Sequence, residues 1–143
     1  MTTIRLTMAQ ALVRFLAAQT SEIDGREYPL FAGAFAIFGH GNVAGLGEAL
    51  YGARERLPTL RAHNEQAMAL AAVAFAKASG RRRMMACTSS IGPGATNMVT
   101  AAAVAHANRL PVFAVARRRL CRAPARPGTA ASRGVRRPDH LGQ

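Results

Sequence analysis

The stretch from His63 to Lys77 reads HNEQAMALAAVAFAK. It sets one carboxylate, Glu65, ahead of a run of ten apolar residues, and no cation follows on the same segment until Lys77. An acid in the first turn complements the helix dipole, and Asn64 before it is a good N-cap. Why the acid stands with no cation near it on the same segment is a question that the residues alone leave open.

Two glycine-rich loops offer backbone to a ligand. The first is Phe38-Gly39-His40-Gly41-Asn42, between a predicted strand and a predicted helix. Ligands of α/β sheets bind at such carboxyl ends, where glycine lets the backbone approach and the helix start offers free N–H groups. The spacing, G-x-G-x-x-x-G through Gly45, is not the dinucleotide fingerprint. A merely tight turn fits it as well. The second loop is Thr88-Ser89-Ser90-Ile91-Gly92-Pro93-Gly94-Ala95-Thr96-Asn97. No lysine follows its glycines, so it is not a Walker phosphate loop. A rigid loop exposing backbone suits the edge of a flat polar ring; a hinge is the competing reading.

The remaining reactive side chains form no set. His40, His63 and His106 lack ligand spacing, so no transition-metal site is expected. Met68, Met84, Met85 and Met98 read as core filler. Cys87 and Cys121 match no metal or redox spacing, and a reducing cytoplasm suits them.

The elements that must carry these residues alternate. Thr7-Met8-Ala9-Gln10 is a capping box, and a helix over 8–19 is predicted to turn Met8, Leu12, Phe15 and Leu16 to one face. A loop over 20–29 contains the turn signal Asp24-Gly25. Strands are predicted over 35–38, 59–62, 83–87 and 111–115, and helices over 43–54, 65–78 and 95–107. Ser79-Gly80 closes the second of these helices. The alternation implies an α/β fold: a parallel sheet flanked by helices on both faces. No apolar run is long enough to span a bilayer.

The net charge of +12 suggests nucleic acid, but its distribution argues otherwise. Residues 1–115 hold 11 Lys/Arg against 6 Asp/Glu, a net of +5; residues 116–143 hold 8 against 1, a net of +7. The basic segment has no aromatic residue for base stacking and no helical or strand period. Arg81-Arg82-Arg83 reads as a solvated turn. A Rossmann-like nucleotide binder would need an acid after the second strand, and none is there.

Three motifs in order, "HNEQAMALAAVAFAKASG", "TSSIGPGATN" and "LPVFAV", resemble the N-terminal, pyrimidine-binding domain of thiamine-diphosphate enzymes of the acetolactate synthase and pyruvate decarboxylase superfamily. The resemblance covers residues 3 to 115, so that 1–115 reads as this domain, incomplete, and 116–143 as a disordered basic tail. "FAIFGHGNVAGLGEAL" and "MACTSSIGPGATNM" resemble most closely those members that hydrolyse a C–C bond of a cyclic polyol diketone. A carboligase of the acetolactate synthase kind is the alternative.

The resemblance implies roles. Glu65 takes the place of the family acid that hydrogen-bonds the ring nitrogen of the cofactor's aminopyrimidine, favouring the tautomer that activates the thiazolium carbon. A buried carboxyl shares such a proton well. Gly92, Gly94 and Asn97 are cofactor-side candidates, and His40 is a substrate-side group. The resemblance also implies Mg²⁺ on the diphosphate, held by a G-D-G motif and a later Asn. Asp24 and Asp139 are the only aspartates here and neither is so flanked. Family sites form between subunits, so a homo-oligomer of at least two chains is implied, with this chain holding at most half a site and inactive alone. Read one base out of register from Phe113, with free third bases, the codons can encode the sequence with which the family continues. The arginine-rich segment is therefore expected to be an out-of-frame product.

Overall fold

The computed structural model describes residues 3–116. The predicted tail, but for its first residue, lies outside them. The described chain is a three-layer α/β unit. Helix α1 (Met8–Ala18) precedes a hairpin of β1 (Thr20–Ile23) and β2 (Arg26–Pro29). Then come β3 (Phe31–Ala36), α2 (His40–Asn42), a π-helical turn (Val43–Gly47) and α3 (Glu48–Gly52). Strand β4 (Thr59–Arg61) leads to α4 (Glu65–Ala78), β5 (Met84–Ser89), α5 (Pro93–Asn97), α6 (Val99–Ala107) and β6 (Phe113–Ala116).

Strands β3 to β6 form one parallel sheet in the order β4-β3-β5-β6. Helices cover both faces, as the alternation predicts. On one face Val13 and Leu16 of α1, Leu50 of α3 and Leu57 pack on Phe31, Ala34 and Ala86. On the other, Met68, Ala69 and Ala72 of α4 and Met98 and Ala101 pack on Met85 and Cys87. Leu57 is fully buried, which contributes about 2 kcal/mol. Cys87 is also fully buried, and burial pushes its thiol up to about 12, leaving it protonated and unreactive at neutral pH. Met68, Met85 and Met98 are core, as expected.

Several boundaries differ from expectation, each for a physical reason. The predicted loop over 20–29 is the β1–β2 hairpin. Its turn residues Asp24 and Gly25 have φ of 52° and 75°, the pair of positive angles that a type I′ turn requires. Strand β3 begins at Phe31 rather than 35, because its small residues are an asset between two partners. Gly33 sits at a register shift against β5, and a methyl group there would lie 2.8 Å from the carbonyl oxygen of Pro58. The helix predicted over 43–54 starts at His40 and is interrupted by the π turn, where Gly45 and Gly47 weaken the regular α ladder. The helix predicted over 95–107 starts at Pro93 and breaks at Met98 into α5 and α6.

The capping box of α1 forms: Thr7 Oγ1 accepts from the Gln10 backbone N–H at 3.2 Å, and Gln10 Oε1 accepts from the Thr7 N–H at 3.0 Å. Its buried stripe is Val13 and Leu16 with half-buried Leu12; Met8 and Phe15 are exposed, contrary to the predicted face. A helix lying on a sheet buries only a narrow stripe, and these two fall beyond its flanks. In the arginine triplet Arg81 and Arg82 are exposed and Arg83 is half-buried, and the triplet ties neighbours together. Arg83 Nε donates to the Pro29 carbonyl at 2.9 Å, and Arg82 lies 3.7 Å from Asp24.

Candidate cofactor-facing site

Both glycine loops lie at the carboxyl ends of β3 and β5, the two central strands, at one end of the parallel sheet. Helix α4 begins at the same end, following β4. Asn64 caps it: its side-chain oxygen accepts from the Ala67 N–H at 2.9 Å. The cap fixes Glu65 as the first helical residue. The acid sits in the first turn of α4 and also faces the second glycine loop.

Asn97 Nδ2 donates to Glu65 Oε2 at 3.2 Å, joining residues from α4 and α5. The other carboxylate oxygen, Oε1, lies against the backbone of Gly94. A methyl group built there would be 2.8 Å from it. Gly94 thus leaves the space in which the acid rests. Glu65 is half-buried rather than fully enclosed. Among the described residues it has no ion pair, in line with the absence of a nearby lysine in the sequence. A carboxylate with one oxygen held by an amide and the other seated on bare backbone keeps an open side for a further hydrogen bond.

Gly92 plays a different part. Its φ of 63° and ψ of −123° are those of the first central residue of a type II′ turn, a region closed to side chains. Pro93 then occupies the first turn of α5, where its missing N–H costs nothing. The pair turns the chain sharply out of β5, so that Gly94 and Asn97 come back to Glu65.

The first loop packs directly on the second. A methyl group on Gly39 would come within 2.3 Å of Ser90 Oγ and 2.8 Å of Ser90 Cβ. Asn42, only 9% exposed, donates its Nδ2 to the Ser89 carbonyl at 3.1 Å. Gly39, His40, Gly41, Asn42, Ser90 and Ile91 line a cavity of about 150 Å³. His40 is exposed at its rim.

The structure therefore brings Glu65, Gly94 and Asn97 into contact, with Gly92 shaping the turn. His40 stands on the neighbouring cavity, joined to them through Ser90. Sequence reasoning missed Asn42 and Ser90. The signal for Asn42 was a polar residue directly after a glycine loop, but only its burial shows that it faces inward. A concavity of about 830 Å³, an open groove between α1 and α3, contains none of these residues. Among the described residues, no group of three or more His, Cys, Asp or Glu side chains comes together. No helix among them is long and apolar enough to cross a membrane.

The arrangement places one carboxyl group beside exposed loop backbone, with room for a further hydrogen bond. Residues 32–123 match the family described as "Thiamine pyrophosphate enzyme, N-terminal TPP binding domain". That match runs past residue 115, the boundary drawn from the sequence. Over 113 residues, 79% of this chain, the sequence is 57% identical to the 3D-(3,5/4)-trihydroxycyclohexane-1,2-dione hydrolase of Clostridium tetani (strain Massachusetts / E88). It is 54% identical over the same length to the proteins of that name from Bacillus thuringiensis (strain Al Hakam) and Bacillus anthracis. The chain spans 18% of the length of these relatives. The match of the family to most of the chain, on a parallel sheet that carries its loops at one end, shows that this chain belongs to the thiamine pyrophosphate enzymes, of whose N-terminal TPP-binding domain it is a part.

Proposed function

We propose that this chain is the pyrimidine-binding portion of a thiamine-diphosphate-dependent hydrolase that opens a trihydroxycyclohexane-dione ring in myo-inositol breakdown, and that it is inactive alone. The observation that carries the reading is the seat of Glu65, with one oxygen on Asn97 and the other on the bare backbone of Gly94. The residues fit the cofactor. Its aminopyrimidine is flat and needs a carboxyl to share a proton with a ring nitrogen, and Glu65 has an open side and, among the described residues, no ion-pair partner. When bound, thiamine diphosphate supplies a carbon nucleophile for attack on a carbonyl.

This chain's own residues do the rest of the work assigned here. Glu65 holds the shared proton. Asn97 fixes the carboxylate plane by occupying Oε2, so that Oε1 is left to meet the ring. Gly94 lets the acid and the ring edge approach the backbone without a side chain between them. Gly92 and Pro93 set the angle of that segment. His40, at the rim of the adjoining cavity, is the substrate-side group. The name of the relatives supports a cyclic diketone bearing hydroxyls as the substrate. The diphosphate and its Mg²⁺ are assigned to a part of the enzyme outside this chain. The working assembly is assigned as a homo-oligomer, and the arginine-rich segment as an out-of-frame product.

Two experiments test this. Residues 3–116 are grafted in place of the matching segment of the Clostridium tetani relative, and ring opening is assayed with thiamine diphosphate and Mg²⁺. The chimera is expected to turn over, and Glu65→Gln is expected to lower kcat about a hundredfold or more. Normal turnover by the Gln variant overturns the role of Glu65, and a folded but inert chimera overturns the assignment. The nucleotide sequence from codon 105 onward tests the frame. A shifted frame encoding G-D-G and a later Asn supports it, and a shifted frame unlike the family overturns it.

A further inference from the structure

We propose that Asn42 is a positioning residue, acting through the second glycine loop on the carboxylate of Glu65. The inference rests on the reading of Glu65 as the functional acid, but the contacts that carry it are independent of any ligand. Asn42 is one of few buried polar side chains among the described residues, and its hydrogen bond to the Ser89 carbonyl bridges 47 positions of sequence. That carbonyl ends β5, where the chain leaves the sheet. A buried carbonyl there needs a donor, and Asn42 supplies it.

The tether has a direct line to the acid. Ser90 follows Ser89 and fills the space that Gly39 leaves open. On its other side Ser90 packs near Gly94: a methyl group on Gly94 would lie 3.4 Å from Ser90 Cβ and 2.8 Å from Glu65 Oε1. So Asn42 holds Ser89, Ser89 places Ser90, Ser90 backs Gly94, and Gly94 seats Glu65. The first step is a hydrogen bond, the second a peptide bond, and at the last two Ser90 and Glu65 border the space that a methyl on Gly94 would fill. The Ser89 hydroxyl adds rigidity by donating to the Ser90 carbonyl at 3.1 Å. The first loop thereby does more than approach a substrate: it braces the second.

The side-chain amide of Asn97 reports the position of Glu65, because it donates to that carboxylate. The test is the ¹H–¹⁵N resonance of this amide in the full chain without cofactor. Glu65→Gln defines how far the resonance moves when the charged acceptor is lost. Asn42→Leu, which keeps the volume and removes the donor, is expected to give about half that displacement or more. Asn42→Asp, which keeps the shape and replaces the donor by an acceptor, is expected to do the same if the Leu variant fails to fold. Backbone amides of the β1–β2 hairpin should not move in either. An unchanged Asn97 resonance beside a lowered melting temperature means a merely structural asparagine and overturns the proposal. So does an Asn97 resonance that ignores Glu65→Gln. Because no cofactor is present, the brace can stand where the cofactor role of Glu65 fails, and the chimera assay reads that role separately.

Discussion

The two glycine loops look alike in sequence and do different work. Each follows a buried strand, carries two glycines one residue apart and opens a helix. In the first, the missing side chain of Gly39 makes room for another loop, at Ser90. In the second, the missing side chain of Gly94 makes room for a carboxylate, while Gly92 supplies a backbone angle that no other residue adopts comfortably. A glycine can therefore be demanded by packing, by a functional group or by φ. The three demands predict different failures on substitution. On the proposed reading, the first loop braces and the second presents.

The comparison is broken most severely at the acid. Glu65→Gln in the chimera keeps the Asn97 contact geometry and the fold, and about a hundredfold or more is expected to be lost from kcat. The check is kcat alongside an unchanged melting curve. Gly94→Ala comes next. Its added methyl would meet the far end of a glutamate side chain, which can swing away. Stability should change by less than about 1 kcal/mol, the range of an uncoupled surface change. The displaced acid should cost about ten- to a hundredfold in kcat, as misplacement of a reacting group does. Equal losses of stability and activity would place Gly94 with the packing glycines instead.

Gly92→Ala should show the third kind of failure. A side chain at φ 63° and ψ −123° is strained whatever the space around it, and no atom stands within 4 Å of the added methyl. The expected loss is about 1–3 kcal/mol of unfolding free energy. Denaturant melts measure it, and an unchanged midpoint would mean that the loop relaxes into another turn.

How much of this was legible beforehand follows from the range of each interaction. Helix α4 was readable to the residue, because Asn64, the apolar run and Ser79-Gly80 are local signals. That the sheet is parallel followed from alternation, whereas its order β4-β3-β5-β6 did not. Strand β3 was misplaced because FAGAFA has little β propensity; its place is set by partners on both sides, which no local window contains. The hairpin was missed although its turn was seen, since exposed flanks such as Arg26–Pro29 carry no apolar alternation. At the site, Glu65, Gly94 and Asn97 were named by resemblance. Their mutual contacts, and the inward turn of Asn42, are long-range facts that spacing does not encode.

The smallest effect is the one that separates bracing from mere crowding. Gly39→Ala places a methyl 2.8 Å from Ser90 Cβ, a distance that rotating the hydroxyl cannot relieve, so one of the two loops must shift. A cost of about 1–2 kcal/mol is expected, typical of an overpacked contact. Ser90→Gly removes the obstructing atoms, and the double variant should recover about 1 kcal/mol of that cost. If the loops were only neighbours, the two substitutions would add. A coupling near zero would then leave Gly39 as a tight-turn residue and dissolve the contrast between a loop that braces and a loop that presents. A coupling of the expected size ties the first loop to the position of Ser90, and through Ser90 to the backbone on which Glu65 rests.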